Sequence, residues 1–93
     1  MNRLQVGIVG GILKVEEIEY QKNGSTNRLY VLKIFDGDNQ IDILTNYDNY
    51  KALNELEFMK TIKCRVTAQA DTQNQQPVMR LRLNEYKVVN EGE

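Results

Sequence analysis

Flat rings set beside positive charges are the chemistry this chain has to offer. Lys33 and Phe35 stand two residues apart at the end of an alternating run, so a strand sets both on one face. A ring there can stack on a planar group while the ammonium meets an anion. Lys63 and Arg65 alternate with apolar residues in a second run, and Arg80 and Arg82 in a third. The bland reading of such basic residues is a solvated sheet face. No carboxylate interrupts those four positions, which favours an anion-binding face. Tyr20 and Lys22 border a polar stretch, as do Lys14 and Arg28, and Tyr47 follows a strand pattern into another. Phe35 has an alternative use as a plug at the end of a barrel.

Other chemistry is poorly provided for. There is no histidine, which removes His-dependent acid–base catalysis and His-ligated zinc. Cys64 alternates with apolar neighbours and reads as a small buried hydrophobe rather than a nucleophile. Asp36 and Asp38 flank Gly37, which is turn chemistry without the further oxygens that calcium wants. No glycine loop of the phosphate-binding type and no hydrolase elbow occurs. An enzyme is not expected, nor is a cofactor or a metal.

The chain has 93 residues, which allows one domain with a small core. Charged residues make up 27% and hydrophobic residues 41%, ordinary values for a globular domain. The net charge of −1 is low for a partner of polyanions, but it is unevenly spread. Residues 59–89 carry Lys60, Lys63, Arg65, Arg80, Arg82 and Lys87 against only Asp71 and Glu85, while residues 1–58 lean acidic. Local field rather than net charge attracts a polyanion. No run approaches the length of a membrane span, and Met1-Asn2-Arg3-Leu4-Gln5 lacks the apolar core of a signal peptide. A single cysteine cannot form an internal disulfide, which points to the reducing cytoplasm.

The elements that position these residues follow from periodicity. A first strand runs from about Leu4 to Tyr20, with Gly10-Gly11 marking a bend inside it. Residues 21–27 form a polar loop with a turn signal at Asn23-Gly24. Strands over 28–35 and 40–45 flank Asp36-Gly37, the strongest short-range hairpin signal in the chain. Parity places Leu32, Ile34, Ile41 and Ile43 inside, and Val31, Lys33, Phe35, Asp42 and Leu44 outside. The period then changes: Asp48 caps a short helix to about Glu57, with Tyr50, Leu53 and Leu56 as its apolar stripe. Tyr50 and Phe58 belong with that stripe and the barrel floor. In a fourth strand Ile62, Cys64, Val66, Ala68 and Ala70 alternate with Thr61, Lys63, Arg65, Thr67 and Gln69. A polar loop covers 71–77. The fifth strand sets Met79, Leu81 and Leu83 opposite Arg80 and Arg82. Residues 1–89 form the domain, and 90–93 an acidic frayed tail.

Strand-strand-strand-helix-strand-strand is the order of the all-β OB-fold, a five-stranded Greek-key barrel with one helix between strands three and four. The glycine-bent first strand, "Leu-Lys-Ile-Phe" before Asp36-Gly37, "Gln-Ile-Asp-Ile-Leu" after it and the helix before "Thr-Ile-Lys-Cys-Arg-Val" resemble the OB-fold single-stranded DNA-binding proteins of bacterial, phage and plasmid replication, and replication protein A domains. Tryptophan, which many of these place on the binding face, is absent. The resemblance implies non-enzymatic binding of single-stranded DNA in replication or recombination, by base stacking and phosphate contacts. The expected contact residues are Tyr20, Lys22, Lys33, Phe35, Tyr47, Lys63, Arg65, Arg80 and Arg82. RNA is an alternative partner. A protein-docking module on the outward Val31 and Leu44 is another reading, and a homodimer or a replication-protein partner would fit either.

Overall fold

The computed structural model describes residues 3–89, so the tail expected at 90–93 lies outside the described residues. Five strands and one helix follow in the order β1 (Arg3–Lys22), β2 (Ser25–Phe35), β3 (Gln40–Thr45), α1 (Tyr47–Asn54), β4 (Thr61–Gln73) and β5 (Gln76–Val88). The strands close in the sequence β1-β2-β3-β5-β4 and back to β1. All neighbours are antiparallel except β3 and β5, which meet in parallel where Leu44 stands beside Arg82. This is the five-stranded barrel with its helix between β3 and β4 that the sequence implies.

One long strand makes closure possible. β1 pairs with β4 from Arg3 to Gly11 and with β2 from Gly11 to Lys22. The change of partner falls on Gly10-Gly11 and on a register shift between Ile12 and Lys14. Gly10 is needed there, and Gly11 is closely approached. A Cβ on Gly10 would lie 2.6 Å from the Phe35 carbonyl oxygen, and one on Gly11 would lie 2.9 Å from Met59 Cε. The strand bends because backbone from β2 and the turn after α1 come too close for side chains.

The core is the inward set of the alternating strands. Leu32, Ile34, Ile43, Ile62 and Val66 are fully buried, with Leu53 from α1 closing one end. Ile12, Cys64 and Leu83 complete the cluster. Burial pushes the Cys64 thiol up to about 11, so it stays protonated and unreactive near neutral pH.

Four local features differ from the sequence expectation. The helix cap is Asn46, whose side-chain oxygen accepts the Asn49 N–H at 2.8 Å; Asp48 lies inside the first turn and the helix stops at Asn54. Asn and Asp are near-equal caps, so the sequence did not rank them. The two polar "loops" are tips of long hairpins. Asn23 and Gly24 both have positive φ and form a two-residue turn, so β1 and β2 run on through polar residues. Asn74 and Gln75 do the same between β4 and β5, with no glycine to announce it. Phe58 is 73% exposed rather than part of the floor. Met59 displaces it: its N–H donates to Ile12 O at 2.7 Å, and its side chain fills the space over Gly11.

Candidate functional site

The two hairpins extend beyond the barrel as arms, and the outer face between them is the feature of interest. On the first arm, Glu16, Ile18 and Tyr20 stand opposite Val31, Leu29 and Asn27. Residues two apart share a face, so Lys14, Glu16, Ile18, Tyr20 and Lys22 lie on the same side as Leu29, Val31 and Lys33. This side is opposite to buried Leu32. Phe35 continues it, half-buried, with the side-chain-free Gly11 as its β1 neighbour.

The surface continues across the barrel. Val31 pairs with Leu44, and Lys33 with Asp42. Val31, Asp42, Leu44, Met79, Arg80 and Leu81 line one cleft of about 230 Å³. Leu44 and Arg80 also line a second, of about 400 Å³, together with Arg82, Asp71 and the outward residues of β4. Val31 points outward as parity requires, yet it is buried, because the cleft beside the second arm closes over it. An apolar track thus runs from Tyr20, Ile18 and Leu29 through Val31 and Leu44 to Leu81 and Met79. Lys14, Lys22, Lys33, Arg80 and Arg82 border it.

The electrostatics are more balanced than the sequence suggests. Glu16 lies 2.6 Å from the Lys14 ammonium and 3.8 Å from that of Lys33. Asp42 lies 3.9 Å from Lys33, and Asp71 accepts from Arg80 Nε at 2.8 Å. The hydrogen bond from Lys14 holds the Glu16 carboxyl below its ordinary range. The Thr72 N–H first, then Arg80, does the same for Asp71. Among the described residues, Lys22 and Arg82 have no ion-pair partner.

The expected contact residues do not all converge. Tyr20, Lys22, Lys33 and Phe35 share the outer face of β1 and β2, and Arg80 and Arg82 border the adjoining cleft. Lys63 and Arg65 sit elsewhere. They border a recess of about 530 Å³ over Gly7, together with Glu85 and Lys87. Arg65 is tied to Glu85 at 2.8 Å. Tyr47 belongs to a third place. Its ring lies 5.7 Å from that of Tyr30 and 6.3 Å from that of Tyr50. Tyr30 shares a face with Leu32, so this trio packs on the core side of β2, away from Lys33. Ile18, Leu29 and Met79 went unnoticed in the sequence as surface residues. Period-two alternation that carries apolar residues past the barrel, beside Tyr20 and into a tight turn, was the available signal.

Neither a family model nor a curated protein matches the sequence. Solved structures do match. The mitochondrial single-stranded DNA-binding protein Rim1 of S. cerevisiae, in its first crystal form, superposes with a TM-score of 0.69 at 14% identity, covering 98% of this chain and 100% of that one. Its second form gives 0.64 at 18% identity, covering 99% and 100%. The small single-stranded DNA-binding protein of Streptomyces coelicolor gives 0.50 at 12% identity, covering 96% of each chain. The fold is therefore an OB-fold of the kind found in single-stranded DNA-binding proteins, over essentially the whole chain. Among the described residues, no helix is long and apolar enough to cross a membrane, and no group of three or more acidic, Cys or His residues is placed to hold a metal ion.

Proposed function

We propose that this protein binds single-stranded DNA on the outer face between its two arms, coating the strand during replication or recombination. The observation that carries the reading is the apolar track from Tyr20 to Met79 with basic side chains along both borders. Unpaired bases need apolar or aromatic surface to cover their faces, and the backbone needs nearby cations. The structural neighbours are named as single-stranded DNA binders, which supports the same ligand class. Tyr20 and Phe35 supply the rings. Ile18, Leu29, Leu44 and Met79 supply sequence-tolerant contact, and Lys22 and Arg82 meet phosphates.

Titration of fluorescent oligo-dT, with RNA and duplex DNA of equal length beside it, tests the reading. Phe35→Ala is expected to weaken oligo-dT by ~1–3 kcal/mol, the worth of one stacked base. The melting temperature of the same variant should change little, because the ring lies outside the core cluster. A large loss of melting temperature with unchanged binding would assign Phe35 to the barrel end instead. Failure of the wild-type chain to bind oligo-dT at low salt would overturn the reading and turn attention to a protein partner on the same track.

A further inference from the structure

Three of the five cations that border the proposed track are already answered by carboxylates. Lys14 and Lys33 share Glu16, Lys33 also faces Asp42, and Arg80 is held by Asp71. These pairs form a row on one continuous surface, because Asp42 and Arg80 line the same cleft and Arg80 and Asp71 line the next. A phosphate brought to Lys33 or Arg80 must compete with a carboxylate already in place, and it meets that carboxylate's charge.

We infer that Glu16, Asp42 and Asp71 are specificity-determining residues that restrict this face to single strands by penalising ligands that offer only phosphates. The inference rests on the single-strand reading and adds to it the basis of discrimination. Duplex DNA presents a dense row of phosphates with its base faces hidden, so its sequence-independent binding is almost wholly electrostatic. An unpaired strand exposes base faces, which the track from Tyr20 to Met79 can cover whatever the charges do. Carboxylates beside the cations therefore weigh on both ligands but remove most of what the duplex has. Specificity of this kind comes from a repulsive element as much as from an attractive one.

The test compares oligo-dT with a duplex of equal length for the wild-type chain and for Glu16→Gln/Asp42→Asn/Asp71→Asn. These side chains are polar and lie outside the core, so the variant should fold. Freeing Lys14, Lys33 and Arg80 should steepen the oligo-dT salt slope by roughly 2 and the duplex slope by roughly 3. The ratio of duplex to single-strand affinity should rise about tenfold at low salt, because the duplex gains most from added charge. Glu19→Gln/Glu55→Gln/Glu57→Gln, which changes the net charge equally away from the track, should leave that ratio where it was. An unchanged ratio in the first variant, or an equal rise in the second, overturns the inference while the single-strand reading stands. Absence of oligo-dT binding in the wild type overturns both.

Discussion

β2 passes through two environments within a few residues. Leu32 and Ile34 are fully enclosed by β1, β3 and α1, whereas Leu29 is 39% exposed opposite an Ile18 that is 40% exposed. β4 and β5 repeat the contrast. Val66 and Leu83 are buried, yet Ala70 and Met79 continue the same alternation into solvent, with Met79 64% exposed. The residue types hardly change between barrel and arm. Leu29 stands on the opposite face of β2 from Leu32, while Met79 shares its face with Leu83 and differs in having no second layer across it. Apolar side chains inside the barrel hold it together, and those on the arms form the surface proposed above to take the strand. Monomeric proteins seldom leave such a contiguous apolar surface without a use for it.

The comparison can be broken at its strongest point first. Leu32→Ala empties a fully buried position and should cost about 2–5 kcal/mol of folding stability, read by urea or thermal unfolding. Leu29→Ala, three residues away on the arm, should fall within about 0.5 kcal/mol of wild type in the same measurement. Equal losses at the two sites would mean that the arm is packed as tightly as the barrel.

A smaller effect separates the two faces of the first arm. Tyr20→Ala should weaken oligo-dT binding by ~1–3 kcal/mol if its ring stacks on a base. Tyr47→Ala removes a ring from the Tyr30–Tyr50 trio on the other face, so it should lower stability and leave oligo-dT affinity unchanged. The reverse pattern would move the binding surface to the helix side.

The smallest expected effect lies in the Asp36 hairpin. Asp36 accepts the Asn39 N–H at 2.8 Å and the Asp38 N–H at 2.9 Å, and these bonds hold its carboxyl below the ordinary 3.8. Its contribution is fully present above the unfolded value of 3.8 and is lost as pH falls through the lower folded value. The wild-type melting temperature should therefore drop more steeply than that of Asp36→Asn below pH 3.8, with the two curves parallel at neutral pH. Parallel curves throughout would show that the turn holds without the charge.

Strand count, the glycine bend, the Asp36-Gly37 hairpin and the inward set of β2, β3 and β4 were legible because period two and turn chemistry are local signals. The arms were not. Gln21–Asn27 and Asp71–Pro77 are polar enough to read as loops, and Asn74-Gln75 forms its turn with left-handed residues that no glycine marks. The site was legible in part for a related reason. Parity placed Lys33 and Phe35 on the outer face, but it cannot relate Lys63 on one strand to Lys33 on another. The ladder does that, and it sends Lys63 and Arg65 to the recess over Gly7.

The sequence by itself determined that this chain is a small all-β barrel with one helix, that it has no histidine-based chemistry, and that rings and cations alternate on its strands. These follow from residue type and spacing, which act within a few residues of one another. Tertiary structure decided which cations are free and which are held, since Glu16 meets Lys33 only across β1 and β2, and Asp42 meets it only across β2 and β3. It also decided that Val31 is covered while Leu29 is open, and that Tyr47 faces away from the track. Each of those outcomes depends on what a distant strand brings alongside, a distance the local pattern does not carry.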